Sequence, residues 1–200
     1  MRLSAGSLIQ CAGMLGFALL VGVAYLGFSD TASRPQQIAV GGAFHLVDQD
    51  GRAVTDRDFL GKWQLIYFGY THCPAACPTA LNNIAVALGA LKGGAAKIVP
   101  IFITIDPDRD APAVMKDYDA SFLPNLVGLS GSASETAKVE KEFQVTALRH
   151  STADGGYDFD HSSGIFLLDP RGEFAGFFEG DADPDAMARR ISAIMARGAT

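Results

Sequence analysis

Between residues 64 and 104, two strongly apolar runs of strand length flank a stretch with helical periodicity. The first run, residues 64–70, reads QLIYFGY, and the second, residues 97–104, reads KIVPIFIT. Apolar residues between them recur at helical spacing, which predicts a helix over about residues 78–92. A strand, a helix and a second strand joined by short connections require a parallel crossover. This segment therefore predicts an α/β protein.

The patterns outside this segment extend the prediction to a thioredoxin-like order of elements. A Ser-x-x-Glu capping box at Ser132 and Glu135 marks the start of one helix, and a Pro-Arg-Gly turn joins two strands near the C-terminus. We predict one thioredoxin-like domain with a mixed central sheet over residues 40–200. Its further elements are strands at 44–47, 53–55, 125–129, 165–169 and 173–178, and helices at 111–122, 132–143 and about 184–196.

A long apolar stretch precedes this domain. Residues 8–28 read LIQCAGMLGFALLVGVAYLGF and contain no charged side chain. As a helix this stretch is long enough to span a hydrocarbon core of about 30 Å. A cleaved signal peptide is the alternative, but its apolar region is usually only about 7–15 residues long. We therefore predict one N-terminal transmembrane helix within an anchor at residues 1–28, a tether at residues 29–39, and an unreactive thiol at Cys11.

The charges around the apolar stretch predict which side of the membrane the domain occupies. Arg2 precedes the stretch and Asp30 follows it, so the positive-inside tendency places the N-terminus in the cytoplasm. The start lacks an Arg- and Ser-rich transit peptide, which favours a bacterial inner membrane with the C-terminal domain in the periplasm. The net charge of −6, without a basic stripe, argues against a nucleic-acid partner.

Two cysteines follow the first apolar strand, at the predicted start of the crossover helix. In an open α/β sheet this edge is where ligands bind. Backbone amides at a helix N-terminus lower thiol pKa values, so we expect thiolate character at both Cys73 and Cys77. The alternative is a buried or disulfide-bonded structural pair, which is a common fate of nearby thiols in an oxidising compartment.

Topology supplies a third candidate ligand. If the strand at 165–168 runs antiparallel beside the strand at 64–70, the residues just before it, Asp160 and His161, face the cysteines. In thioredoxin-type redox enzymes this position holds a cis-proline, whereas residues 125–169 of this chain contain no proline. We therefore predict that His161 is a ligand. No such placement argument applies to the other three histidines, His45, His72 and His150.

Two thiolates and one imidazole would form a small, soft site. Such a site suits Cu(I) in trigonal geometry and also accepts Cu(II). Zinc is the main competitor, but structural zinc usually has four protein ligands and catalytic zinc keeps an open position near a base. Neither zinc pattern is visible in this sequence, so we interpret the site as a copper site.

Several motifs occur together in this chain: Gly61-Lys62-Trp63, Phe68-Gly69-Tyr70-Thr71-His72, the Cys73–Cys77 segment with its two prolines, Asp106-Pro107-Asp108-Arg109-Asp110, and Asp160-His161. In their order and spacing these motifs resemble the SCO/SenC family over residues 40–195. The resemblance implies a thioredoxin fold, one N-terminal membrane helix and a copper metallochaperone for the dinuclear copper A centre of cytochrome c oxidase subunit II. It also implies that Cys73, Cys77 and His161 are the copper ligands. Ala75 departs from the family, where an aspartate is common.

The resemblance leaves alternatives open. A membrane-anchored thiol-disulfide oxidoreductase that reduces the oxidase cysteines would use the same two sulfurs, and a peroxiredoxin-like peroxidase is a third, weaker alternative. Copper carriage needs both cysteines reduced, which implies a thiol reductant. A copper carrier also implies an upstream periplasmic copper donor. We predict a metal-binding assembly factor, for which thiol-disulfide reductase activity is the alternative. The residues predicted to dock a partner or to support the site are Asp106, Asp108, Arg109, Asp110 and Asp160. For the loop of residues 106–110, a solvated turn is the alternative.

Overall fold

The computed structural model describes residues 40–198, and a seven-stranded sheet forms their centre. The strands of the described residues are β1 (His45–Asp48), β2 (Ala53–Thr55), β3 (Trp63–Gly69), β4 (Ile98–Thr104), β5 (Val127–Ser130), β6 (Ala147–Ser151), β7 (Tyr157–His161), β8 (Gly164–Leu168) and β9 (Phe174–Glu179). The α-helices in this part of the chain are α1 (Ala76–Ala90), α2 (Pro112–Ala120), α3 (Ala133–Phe143) and α4 (Pro184–Arg197). Short 3₁₀ turns lie at Asp56–Phe59 and Ala95–Lys97.

The central sheet is mixed, with strand order β2-β1-β5-β4-β3-β8-β9. Strand β3 pairs in parallel with β4 on one side and antiparallel with β8 on the other, and β4 pairs in parallel with β5. The predicted α/β fold with a parallel crossover is therefore confirmed, and so is the antiparallel placement of β8 beside β3. In this arrangement the end of β3 and the start of β8 meet at the same edge of the sheet.

Strand β3 is the centre of the core. All seven of its residues are buried, which explains why its sequence is a continuous apolar run and not an alternating one. Helix α1 packs against α4, and α2 packs against β5. Helix α3 begins with the predicted capping box, in which the backbone N–H of Glu135 donates to Ser132 Oγ and the Glu135 carboxylate accepts from the Ser132 backbone.

Two local features differ from the sequence prediction. Helix α1 begins at Ala76 and not at Pro78, so its first turn already contains Cys77. The antiparallel pair β6–β7 was not predicted, although Tyr157, Phe159 and His161 alternate with aspartates across β7 and a Gly-Gly turn precedes them. Such alternation is the strand signal, but the high polarity of the segment concealed it.

The predicted membrane anchor and tether lie outside the described residues, so both remain predictions. Within residues 40–198, no helix combines the length and the apolar character that crossing a bilayer requires.

Candidate metal centre

The structure brings three of the predicted site residues together at one edge of the sheet. Cys73 lies in the connection between β3 and α1, Cys77 in the first turn of α1, and His161 at the end of β7. Their ligand atoms all lie within 4.8 Å of one another. Cys77 Sγ is 3.7 Å from His161 Nε2. These three residues therefore form one cluster, although β7 is far from the cysteines in sequence.

The backbone positions both cysteine sulfurs. The Cys73 N–H donates to the Tyr70 carbonyl at 3.2 Å, and the Cys77 N–H donates to Cys73 Sγ at 3.3 Å. Gly69 leaves room for the second sulfur, because a Cβ at that position would lie only 2.7 Å from Cys77 Sγ. Close approach of a side chain is one of the physical reasons for glycine in a strand.

The two thiols differ in acidity. A hydrogen bond from the Cys77 thiol, assisted by the Cys77 backbone N–H, lowers the pKa of Cys73 to about 5 despite its burial. The same thiol hydrogen bond, together with complete burial, raises the pKa of Cys77. Thiolate character at Cys73 agrees with the prediction, whereas the same expectation for Cys77 is wrong. The helix terminus stabilises one thiolate, and the second thiol is the donor that supports it.

The imidazole of His161 presents one nitrogen to the sulfurs. Its Nδ1 lies 2.8 Å from the carbonyl oxygen of Ser162. A carbonyl can only accept a hydrogen bond, so Nδ1 is the donor, and in a neutral ring the lone pair is then on Nε2. A backbone partner of this kind fixes the tautomer and the ring orientation of metal-ligating histidines. The Tyr70 ring packs edge-on against the imidazole, with centroids 5.7 Å apart.

The dimensions of the cluster fit a single metal ion. Metal–sulfur and metal–nitrogen bonds of about 2.3 and 2.0 Å in trigonal geometry place ligand atoms about 3.5–4 Å apart. The distance of 3.7 Å between Cys77 Sγ and His161 Nε2 lies in this range. In the described part of the chain, the cluster contains no fourth cysteine, histidine or carboxylate. The donor set is therefore the soft three-ligand set that suits copper and lacks the four ligands of structural zinc.

The other histidines lie outside the cluster. His45 and His72 are exposed, and the His72 ring contacts the Thr71 hydroxyl at 3.1 Å. His150 lies 3.7 Å from the carboxylate of Asp160, whose side chain is 84% exposed. Asp160 therefore points away from the sulfurs and does not support the ligands directly.

The aspartates of the predicted acidic loop, residues 106–110, have different environments. Asp110 is fully buried and accepts hydrogen bonds from the Thr71 N–H at 3.0 Å and from the Thr104 hydroxyl at 2.6 Å. Asp106 is also buried and pairs with Arg109, whereas Asp108 is exposed. Of the three aspartates, only Asp108 fits the alternative of a solvated turn. The buried carboxylates of Asp106 and Asp110 connect neighbouring segments through their hydrogen bonds.

Sequence reasoning missed the aromatic support of the cluster. The hydroxyl of Tyr70 donates to Asp158 on β7, and its ring also packs on Phe159 with centroids 5.4 Å apart. Tyr70 belongs to a recognised apolar run, but its partners lie far along the chain in the unpredicted hairpin. Nothing in the local sequence identifies such a long-range contact.

The pKa difference predicts selective thiol labelling. In the reduced, metal-free chain, iodoacetamide should modify Cys73 first, with a rate that falls as pH decreases through about 5, because only the thiolate reacts. Cys77 should react slowly until the chain is unfolded, since its thiol is buried and its pKa is raised. Peptide mass spectrometry after brief labelling between pH 4 and 8 measures both rates. Equal labelling, or a Cys73 midpoint near the ordinary thiol value of about 8.5, would contradict the geometry.

Comparison with known proteins places the chain in a family. The SCO1/SenC family model matches residues 32–196. Protein sco1 of Schizosaccharomyces pombe is 41% identical over 165 residues, which cover 80% of this chain and 62% of that protein. The chain spans between 45% and 62% of the length of this protein and two further eukaryotic relatives.

Solved structures show the same fold. Bradyrhizobium japonicum ScoI with copper bound is 46% identical, with a TM-score of 0.72 over 78% of this chain and 99% of that one. BsSco, described as a member of the Sco family of cytochrome c oxidase assembly proteins, covers 78% of this chain and 93% of its own, with a TM-score of 0.62. Its identity of 22% makes that likeness evidence for the fold alone. From the family model, the sequence identities and the shared fold, it follows that the chain belongs to the SCO1/SenC family.

Proposed function

We propose that this chain is a copper metallochaperone that delivers copper to the dinuclear copper A centre of cytochrome c oxidase subunit II. The observation that carries the proposal is the convergence of Cys73, Cys77 and His161, whose ligand atoms lie within 4.8 Å of one another. A related ScoI protein, 46% identical to this chain, has been solved with copper bound. The step to this particular copper centre rests on the family resemblance.

The chemistry of the cluster supports copper as the cargo. Thiolate is a soft ligand that selects Cu(I), and imidazole binds copper in either oxidation state. The Cys73 thiol, with a pKa of about 5, is deprotonated at neutral pH and is ready to bind a metal. The buried Cys77 thiol must lose its proton on binding, which makes copper affinity dependent on pH. The site should therefore bind copper more tightly as pH rises.

A thiol-disulfide oxidoreductase remains the second candidate function. The observation that favours it is the pairing of a low-pKa thiol at Cys73 with a buried, high-pKa thiol at Cys77. In disulfide exchange the first kind of thiol attacks and the second resolves the mixed disulfide. His161 distinguishes the two functions, because exchange of sulfurs needs no imidazole, whereas the three-ligand copper site does.

The location and the partners complete the proposal. A single N-terminal helix at residues 8–28 would anchor the chain in a bacterial inner membrane and hold residues 40–198 in the periplasm. In that oxidising compartment, loading requires a thiol reductant for the cysteine pair and an upstream copper donor. Subunit II of the oxidase is the receiving partner.

Copper titration of the reduced and the disulfide-oxidised chain tests the copper proposal. The reduced chain should bind about one equivalent of Cu(I) tightly, and the oxidised chain should not, because a disulfide removes both thiolate ligands. Excess zinc should fail to displace the copper, since the described residues offer zinc only three ligands. Equal binding by both redox forms, or displacement by zinc, would contradict the proposed site.

A further inference from the structure

The hairpin that carries His161 is not part of the main sheet. Among residues 40–198, β6 and β7 pair with each other and with no other strand. The cysteines, in contrast, are fixed to the main sheet through β3 and α1. The distance between the imidazole and the sulfurs therefore depends on the contacts that fasten β7 to the rest of the domain.

A stack of charged and aromatic groups provides this fastening. The Tyr157 ring, at the start of β7, lies between the guanidinium groups of Arg109 and Arg149, whose Cζ atoms are 3.8 and 3.4 Å from the ring centroid. The Tyr157 hydroxyl donates to Asp106 at 2.9 Å, and Arg109 donates to the Tyr157 carbonyl at 3.1 Å. Cation–π contacts and charge-assisted hydrogen bonds are stronger where water is partly excluded.

The burial of these groups indicates a positioning role. The Asp106 side chain is 2% exposed and the Arg109 side chain is 23% exposed, and the two form an ion pair. A carboxylate buried to this extent needs partners, and Arg109 and Tyr157 supply them. The outer Arg149 is more exposed and pairs with Asp108 at 3.6 Å. The inner half of the stack, Arg109 and Asp106, therefore holds the hairpin more firmly than Arg149 does, and it adds to the contacts of Tyr70 with β7.

The same loop also holds the cysteine side of the site. Asp110, at its other end, is fully buried and accepts hydrogen bonds from both the N–H and the hydroxyl of Thr71, at 3.0 and 2.6 Å. Thr71 lies two residues before Cys73 in the same connection. Residues 106–110 thus contact the segment that carries the first thiolate and the strand that carries the imidazole.

We propose that the loop of residues 106–110 sets the separation between the two halves of the metal site, with Arg109 and Tyr157 as positioning residues for His161. This inference rests on the proposed copper function, since it concerns the third ligand of that site. Loss of the inner stack frees β7, so the imidazole is present near the metal for less of the time. Partners that orient metal-ligating residues typically affect metal affinity by about 10- to 100-fold when removed.

The test uses the full-length chain and two variants, Tyr157→Leu and Arg109→Lys. The first removes the ring and the hydroxyl, and the second keeps the charge but removes the planar guanidinium that both stacks and donates. Arg171→Lys is the matched control, because Arg171 makes surface ion pairs with Asp169 and Glu173 at the opposite end of β8. Copper competition titration measures affinity, and pulsed electron paramagnetic resonance of the Cu(II) form measures imidazole nitrogen coupling.

We expect both variants to keep the two titratable thiols of the cluster. Both should lose copper affinity, by about 10- to 100-fold for Tyr157→Leu. Nitrogen coupling should weaken in parallel, whereas Arg171→Lys should match the wild type. Circular dichroism verifies folding, and if Tyr157→Leu does not fold, Arg109→Lys decides. Folded variants with wild-type coupling and affinity would overturn the positioning role. Absence of nitrogen coupling in the wild type would instead contradict the proposed ligand set itself.

Discussion

Replacing either Cys73 or Cys77 with serine should abolish tight copper binding. A hydroxyl is a hard and weakly acidic ligand, and copper(I) prefers thiolate. Metal sites with four protein ligands bind with on the order of 10–16 kcal/mol, which corresponds to about 2.5–4 kcal/mol per ligand. Each substitution should therefore weaken binding by about 10²- to 10³-fold. Competition titration with a Cu(I) chelator measures the change.

Cys11→Ser provides the matched control for this experiment. Cys11 is the one cysteine of the chain outside the predicted copper site and belongs to the predicted membrane anchor, so its replacement should leave copper affinity unchanged. Unaltered affinity in Cys73→Ser or in Cys77→Ser would remove that sulfur from the site. Equal losses in all three variants would show that the titration reports general damage to the protein and not ligation.

Replacing His161 with alanine should separate copper binding from thiol chemistry. The change removes one of three ligands, so copper affinity should fall by about 100-fold or more. Cys73 and Cys77 should still cycle between dithiol and disulfide, since exchange depends on thiolate fraction and access. Affinity and the reduction potential of the cysteine pair are measured on the same purified variant.

His150→Ala is the matched control, because His150 lies on the same hairpin, is exposed and contacts Asp160 instead of the sulfurs. It should leave both copper affinity and the reduction potential at wild-type values. Retention of wild-type copper affinity in His161→Ala would contradict the three-ligand site and favour a purely thiol-based function.

The central sheet could be predicted from sequence because each of its buried strands is marked by the apolar character of neighbouring residues. Strands β3 and β4 are buried on both faces, and such strands read as continuous apolar runs. The position of His161 followed from the same pattern, since an antiparallel β8 beside β3 brings the residues before β8 to the cysteine end of the sheet. Short connections and strand direction therefore specified where the candidate ligands meet.

The environment of the site could not be predicted in the same way. The opposite pKa shifts of Cys73 and Cys77 arise because one thiol donates a hydrogen bond to the other, which depends on side-chain geometry and burial. The role of Asp106 depends on Tyr157, a residue far away in the chain that lies in an unpredicted hairpin. Long-range contacts between polar side chains leave no periodic signal in the sequence.

Oxidase activity of cells that carry His161→Ala, grown with limiting copper, tests the central claim most directly. If the chain delivers copper, loss of the imidazole should abolish oxidase assembly under copper limitation, while the His150→Ala control assembles the enzyme normally. The copper affinity of the same purified variant verifies that the site is impaired. Wild-type oxidase activity in cells whose His161→Ala protein has lost its copper affinity would contradict copper delivery and support the thiol-disulfide function instead.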